Sequence, residues 1–426
     1  MLWAAIAATQ AKCPNAICVV YTGDHEIERD SAIETVKKRF DITLRSHSLQ
    51  FIYLSKRHYV LATTWPRFTL LGQSIGSLIL AHEAFSMLVP DIFIDTMGYA
   101  FTVSFAHYLF PSMATAAYVH YPTISTDMLA SLDDDTGTKG IHSGAGSGVR
   151  GKVKKAYWHM FAYLYGWAGR CIDVVMCNST WTANHIRQLW KPTTPSILYP
   201  PCPVKAIVGE ITLDEMSEDE RDNSILYVAQ FRPEKNHIMI INAFSKFFHA
   251  NQSTFPDSRK PRLILIGSVR ANTTDEKHIY KLRLQCHELK ISDFVDFITD
   301  APFSVILEHL QVSSIGVNGM YAEHFGIGNV EGLAAGLIPV VHNSGGPKED
   351  IVVPIRGQDI GYKCEDEDDY SNAFARVLVK LRSNERREMR LRCRESSKRF
   401  TDEVFVTGWN KELGRLVHMV LRKGGQ

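Results

Sequence analysis

Apolar residues in this chain come in short runs separated by longer stretches with helical spacing. Runs at 16–21, 91–95, 114–119, 172–177, 225–229, 262–267, 294–298, 314–317, 337–342 and 360–363 are short and nearly continuous. They predict strands buried on both faces, as in a parallel sheet covered by helices. The segments 68–89, 237–250, 370–381 and 385–399 predict helices between them. Phe405, Trp409, Leu413, Leu416, Val417 and Val420 mark the apolar face of a last helix. Ser179 and Thr180 offer a cap to the helix after the 172–177 run. Strands and helices in alternation predict an α/β fold. Pro192, Pro195, Pro200, Pro201 and Pro203 predict a linker between a domain over 1–200 and a second over 201–400, with 401–426 as a final helix. Residues 1–10 read as a helix already under way before any strand.

Composition narrows the class. With 45% apolar and 22% charged residues the chain has ample material for a core. A net charge of +1 gives no pull toward nucleic acid, and none is expected as a partner. The eight cysteines show no CxxC spacing; Cys13, Cys18, Cys171 and Cys177 flank or occupy apolar runs, so reduced thiols are expected. Sequons stand at Asn178, Asn251 and Asn272 and read as chance occurrences. Segment 68–89 is long enough to span a membrane, but Gln73, Ser74, Ser77, His82 and Glu83 make it a buried helix. The polar stretch 131–151, with Asp133, Asp134 and Asp135, reads as a solvated loop without a metal site, and the charged segment 216–223 is predicted exposed.

Candidate chemistry gathers between Asn318 and Asp350. Glu323 and Glu331 stand eight positions apart, with His324, Phe325, Gly326 and Gly328 between them. A strand ending near Val317, a loop carrying Glu323, a helix opening near Gly326 and a strand running into Ser344-Gly345-Gly346-Pro347 make one unit. Open α/β sheets bind ligands at that end of their strands. A helix start without bulky side chains exposes N–H groups to an anion, and glycines let a diphosphate approach. Were the whole segment helical, the two carboxylates would lie about 12 Å apart along the axis, the reach from a hexose past two phosphates to a ribose. Each carboxylate could clamp a vicinal diol. Arg232 and Lys235 follow the 225–229 run and suit a diphosphate.

The two-glutamate spacing, with the strand and Gly-Gly turn behind it, resembles the retaining glycosyltransferases of the two-domain GT-B type. The strings YVHYPTISTDML (118–129), QFRPEKNH (230–237), EHFGIG (323–328) and HNSGGPKEDIV (342–352) are similar to a narrower family. That family is the GDP-mannose-dependent α-1,2-mannosyltransferases of the dolichol-linked oligosaccharide pathway. The resemblance implies two Rossmann-like domains facing across a cleft, an acceptor domain first, a donor domain second and a last helix crossing back. It implies GDP-mannose as donor, a lipid-linked acceptor of the Man(3)GlcNAc(2)-PP-dolichol type, no cofactor and no metal. Glu323 and His120 become the catalytic candidates; Arg232, Lys235, Phe325, Gly326, Gly328 and Glu331 become the donor-binding ones. Relatives more often carry the arginine two positions earlier, where this chain has Gln230, so Lys235 is the firmer match.

The family also implies the cytosolic face of the endoplasmic reticulum membrane, possible assembly with other mannosyltransferases there, and a lipid surface to meet. Segment 150–167 suits that surface: Arg150, Lys152, Lys154 and Lys155 precede a run dense in Tyr, Trp and Phe, with Trp158, Phe161 and Trp167 expected to face lipid. Relatives place an anchor, a first strand and a glycine-rich loop ahead of this point, so a first domain lacking its first strand, with an unpaired edge, is expected. Two alternatives stay open: a non-catalytic, N-terminally truncated scaffold of a membrane mannosyltransferase complex, and a GT-B transferase with another donor or acceptor.

Overall fold

The computed structural model describes residues 1–133, 148–214, 218, 220–270 and 273–423. It divides into two compact units, Met1–Pro201 with Asp402–Gln426, and Cys202–Thr401. Each is built on parallel strands.

In the first unit, α1 (Leu2–Lys12) leads into β1 (Cys18–Thr22), α2 (Arg29–Phe40) and β2 (Leu49–Tyr53). β1 and β2 pair in parallel as a sheet of their own. After α3 (Thr69–Met87) come β3 (Ile92–Asp95), α4 (Ala100–Leu109), β4 (Ala114–Val119), α5 (Gly148–Gly169), β5 (Val174–Cys177), α6 (Thr180–Leu189) and β6 (Ser196–Ile197). These four strands pair in sequence order, all parallel. Side chains alternate faces along a strand. Ala114, Ala116 and Tyr118 of β4 therefore meet α1 and the final helix Asp402–Lys423, through Phe405, Trp409 and Leu413. Ala117 and Val119 meet α5 and α6 on the other face, through Phe161, Tyr165 and Ile186. Ser179 caps α6, its Oγ accepting from Thr182 N at 3.1 Å.

Two parts of this unit escaped the apolar pattern. β2 carries an exposed Gln50 and half-buried aromatics, and β6 is two residues long. The lipid-facing assignment within α5 needs correction. Trp158 and Phe161 are 7% and 0% exposed and belong to the core beside Tyr165 and Trp190. A helix lying on a sheet must bury one stripe of its aromatics there, and only the opposite stripe stays free.

The second unit carries β7 (Ser224–Val228), α7 (His237–Asn251), β8 (Arg262–Gly267), β9 (Val295–Thr299), β10 (Ile315–Asn318), α8 (Ile327–Ala335), β11 (Ile338–His342), β12 (Tyr362–Cys364) and α9 (Ser383–Ser397). The sheet order is β12-β11-β10-β7-β8-β9, every pair parallel. From β7 the chain builds outward to β8 and β9; from β10 it builds the other way. The crevice between β7 and β10 is thus the switch point, where an open sheet leaves room for a ligand.

The charged segment 216–223, predicted exposed, proves partly internal. Glu218 and Arg221 are buried, while Met216 lies outside the described residues. Glu218 accepts from Arg390 Nε at 2.6 Å and Arg386 Nε at 2.8 Å. Arg221 donates to the carbonyls of Ser313 and Ala335. Burial pushes the Glu218 carboxyl up, but the two guanidiniums outweigh it and hold it below its ordinary value. Its partner Arg390 lies 172 residues away, so local composition gives no hint of the pairing.

All eight cysteines are free thiols; Cys13, Cys18 and Cys171 are half-buried and the other five buried. Asn178 is buried, and Asn272 lies outside the described residues. Of the acidic triplet, Asp133 pairs with Lys155 at 2.7 Å, while Asp134 and Asp135 lie outside the described residues. Among the described residues no helix is long and apolar enough to cross a membrane, and no group of three His, Cys, Asp or Glu is placed to share an ion.

Candidate functional site

The predicted residues of the second unit converge at the β7–β10 switch point. β7 ends at Val228, and Pro233–Lys235 forms a single 3-10 turn before Asn236, at φ 54°, starts α7. Tyr227 reaches over from the strand, its hydroxyl donating to Lys235 O at 2.7 Å. That bond fixes the backbone from which the Lys235 ammonium projects. Across the crevice, β10 ends at Asn318, whose Oδ1 accepts from Met320 N at 2.9 Å and turns the chain into the Glu323 loop. Lys235 Nζ and Glu323 Oε2 then meet at 2.5 Å, with side chains only 19% and 13% exposed, and Met320 Sδ lies 3.1 Å from the same ammonium.

The Glu323 loop is held from behind by the turn after β11. Gly346 N donates to Glu323 O at 2.8 Å, and Ala322 N donates to Ser344 Oγ at 2.7 Å. Ser344 Oγ also lies 2.9 Å from His342 Nδ1, and burial lowers the pKa of this imidazole. A Cβ on Gly345, at φ +66°, would stand 2.2 Å from Glu323 O, and one on Gly346 would stand 2.7 Å from His324 O. Both positions need glycine because the two loops touch backbone to backbone. The sequence showed this pair only as a turn. Its role in carrying Glu323 follows from the contact.

Gly326, at φ +97°, precedes α8 without any side-chain capping bond, and the first turn holds no acid. Added side-chain bulk there would press on Asn329 Nδ2 and Glu323 Cγ; at Gly328 it would come to van der Waals contact, 3.4 Å, with the carbonyl of Val228. The start of α8 therefore abuts the end of β7, with its amide ends turned to the crevice that holds Lys235 and Glu323. Asn329 Nδ2 is buried there without a partner. Glu331 sits in the second turn, and burial raises its carboxyl to about 7. Because Glu323 lies in a loop and not on α8, a helical ruler does not apply to its separation from Glu331.

Two other residues behave differently from the rest. The Phe325 ring is buried edge-on against Phe400, 5.5 Å between centroids, so it anchors the loop from the core side and offers a ligand only backbone. Arg232 begins the same turn as Lys235, half-buried, with its Nε lacking a partner. His237 was passed over in the sequence. It is fully buried at the start of α7 between Tyr227 and Phe231, and burial, then His278 and Lys235, lowers it to about 3. A neutral ring there adds no competing charge beneath the two cations. His120 belongs to the first unit, at the end of β4, where Tyr118 packs edge-on to it. Burial, then the N-terminal amine, lowers its pKa.

Solved structures share this fold. A glycosyltransferase from Rickettsia africae superposes with a TM-score of 0.61 at 14% identity, covering 98% of this chain and 94% of that one. Sucrose-phosphate synthase from Thermosynechococcus elongatus superposes with a TM-score of 0.65 at 14% identity, covering 98% and 92%. The fold is that of the GT-B glycosyltransferases. Residues 1–190 match the family described as ALG11 mannosyltransferase N-terminus, and residues 210–400 match glycosyl transferases group 1. A Neurospora crassa protein named GDP-Man:Man(3)GlcNAc(2)-PP-Dol alpha-1,2-mannosyltransferase is 48% identical, over 98% of this chain and 77% of its own length. The Homo sapiens protein of the same name is 42% identical, over 95% and 81%. This chain belongs to that mannosyltransferase family, a group of hexosyltransferases.

Proposed function

We propose that this chain transfers mannose from GDP-mannose to a Man(3)GlcNAc(2)-PP-dolichol acceptor in α-1,2 linkage, with retention, at the cytosolic face of the endoplasmic reticulum membrane. The observation that carries the reading is the Lys235–Glu323 pair at the switch point, beside the open start of α8. Lys235, Arg232 and the α8 amides neutralise the diphosphate as it departs. They supply the charge that a metal ion would otherwise bring. Glu331 accepts from the ribose diol, and Glu323 passes from Lys235 to the mannose hydroxyls when the donor enters. The bond from mannose C1 to the phosphate oxygen breaks while the acceptor oxygen bonds C1 on the same face. The acceptor's proton passes to the departing phosphate oxygen. His120, held neutral, donates or accepts at the transferred sugar without adding charge.

A lipid acceptor calls for a surface that meets the membrane. The free stripe of α5, Val149, Val153, Met160, Tyr163 and Trp167, is exposed at helical spacing, and Tyr108 stacks on Trp167. Lys152 and Lys154 flank that stripe with positive charge. Neither a non-catalytic scaffold nor a different donor base gains support from a specific feature of the site. The test is transfer of labelled mannose by the purified protein to a synthetic lipid-linked acceptor, followed by digestion with an α-1,2-mannosidase. Label removable by that enzyme is expected, with Glu323→Ala and Lys235→Ala each slowing transfer about 10²–10³-fold. Transfer at the unaltered rate in both variants would overturn the proposal.

A further inference from the structure

The end of α8 that faces away from the crevice is enclosed by arginines. Gly336, at φ +80°, terminates the helix. Arg394 Nε donates to Ala334 O at 2.9 Å, Arg221 Nη2 to Ala335 O at 2.7 Å and Arg390 Nη1 to Gly336 O at 3.0 Å. These carbonyls close the helix, where no further turn can supply amides to them. Arg390 Nη1 also donates to Ser314 O at 2.8 Å, and Arg221 Nη1 to Ser313 O, so the same guanidiniums tie α8 to the chain entering β10.

Charge there is out of balance. Arg221 and Arg390 are 3% and 1% exposed, and Arg394 is half-buried. Burial, then Arg390, lowers Arg221 to about 9, and burial lowers Arg390 and Arg394 as well. All three remain cations at neutral pH. Among the described residues the carboxylate paired within this group is Glu218, which is shared with Arg386. Holding a helix end does not require so many buried like charges, which repel and are costly to desolvate. Arg394 Nη2 and Arg221 Nε are buried with no partner, so hydrogen bonding alone does not account for the guanidiniums.

We infer that Arg221, Arg390 and Arg394 are positioning residues for the donor, given the donor reading of the crevice proposed above. They fix α8 from behind and direct a positive potential along its axis toward the diphosphate at its other end. The cations offset the negative pole of the helix dipole, so the positive pole acts on the diphosphate without opposition. α8 spans nine residues, about 13 Å. Across that length of protein interior a unit charge still attracts an anion, and salt screens it far less than it screens surface charges. Glu218 works in the other direction, lowering the potential while it holds Arg390 and Arg386 in place.

The experiment is calorimetric titration of the purified protein with GDP and, separately, with guanosine, which carries no phosphate. Arg394→Gln keeps a donor for Ala334 O and removes the charge, whereas Arg394→Lys keeps the charge. GDP should bind about three- to tenfold more weakly to Arg394→Gln and within about twofold of normal to Arg394→Lys, with guanosine unchanged in both. Glu218→Gln should lose melting temperature yet bind GDP more tightly, the opposite sign to that of a merely loosened helix. The Arg394 pair decides the matter if Glu218→Gln does not fold. Equal losses for GDP and guanosine in Arg394→Gln, or weaker GDP binding by a folded Glu218→Gln, would overturn the charge role. Lys235→Ala keeps this result separate from the donor reading. Unchanged GDP affinity in Arg394→Gln beside a clear loss in Lys235→Ala would overturn the role of the arginines and leave the donor site standing. Unchanged affinity in both would overturn the donor site itself.

Discussion

Residue by residue, the candidate site divides into groups that bear charge and groups that carry those groups. Lys235 and Glu323 form a nearly enclosed ion pair, and breaking one partner leaves the other uncompensated. The donor must therefore offer each of them a replacement, an anion for the lysine and hydroxyl donors for the carboxylate. Glu331 presents a different balance, since burial alone lifts it to about 7. Its folded value lies above the ordinary carboxylate value, so the free protein holds a proton there below about pH 7, and a ribose that requires the carboxylate must displace it. GDP affinity should fall by up to tenfold for each pH unit below about 7, and Glu331→Gln should flatten that slope relative to the unaltered protein. Parallel slopes in the two proteins, read by calorimetry, would remove Glu331 from donor recognition. The carboxylates, the cations and the glycines were legible in the sequence because their chemistry is written in residue type and spacing. The Phe325 ring was not, because an aromatic beside a glycine reads the same whether it faces ligand or core.

At the scale of elements, what positions Glu323 is the contact between two loops, not the loop that contains it. Gly345→Ala puts a methyl against Glu323 O at a left-handed backbone position, whereas Gly357→Ala, at φ +76°, meets nothing within 4 Å. Both carry a backbone strain of about 1–3 kcal/mol. Only the first should also displace the carboxylate. Transfer is expected to drop more than tenfold in Gly345→Ala, with a clear loss in melting temperature from the backbone clash, and to stay near normal in Gly357→Ala, with only a small one. Equal activity in the two variants would detach the turn from the site. Helix α5 makes a parallel case, because its aromatic density was readable while its facing was not. Met160→Ser with Tyr163→Ser and Trp167→Ser should reduce co-sedimentation with anionic liposomes several-fold and leave the melting temperature within a few degrees. Trp158→Ser should instead cost about 3–5 kcal/mol of stability, as loss of a buried aromatic does. Lipid binding unchanged in the triple variant would leave the free stripe without that role.

For the molecule as a whole, the alternation of apolar runs and helical spacing carried the fold class, and the proline-rich stretch before Cys202 falls where one unit gives way to the other. Parallel sheets bury strands on both faces, which makes them conspicuous in a sequence. Their order is not conspicuous, since β10 lies beside β7 only through pairing between residues far apart in the chain. The switch point that brings Lys235 to Glu323 is therefore a product of topology, and so is the buried Glu218–Arg390 contact. The account stands on Lys235 and its neighbours gripping a nucleotide diphosphate at that crevice. Calorimetric titration of the purified protein with GDP tests it most directly. Loss of one charge-assisted contact predicts a Kd about 10–100-fold weaker in Lys235→Ala; an unchanged Kd would contradict it.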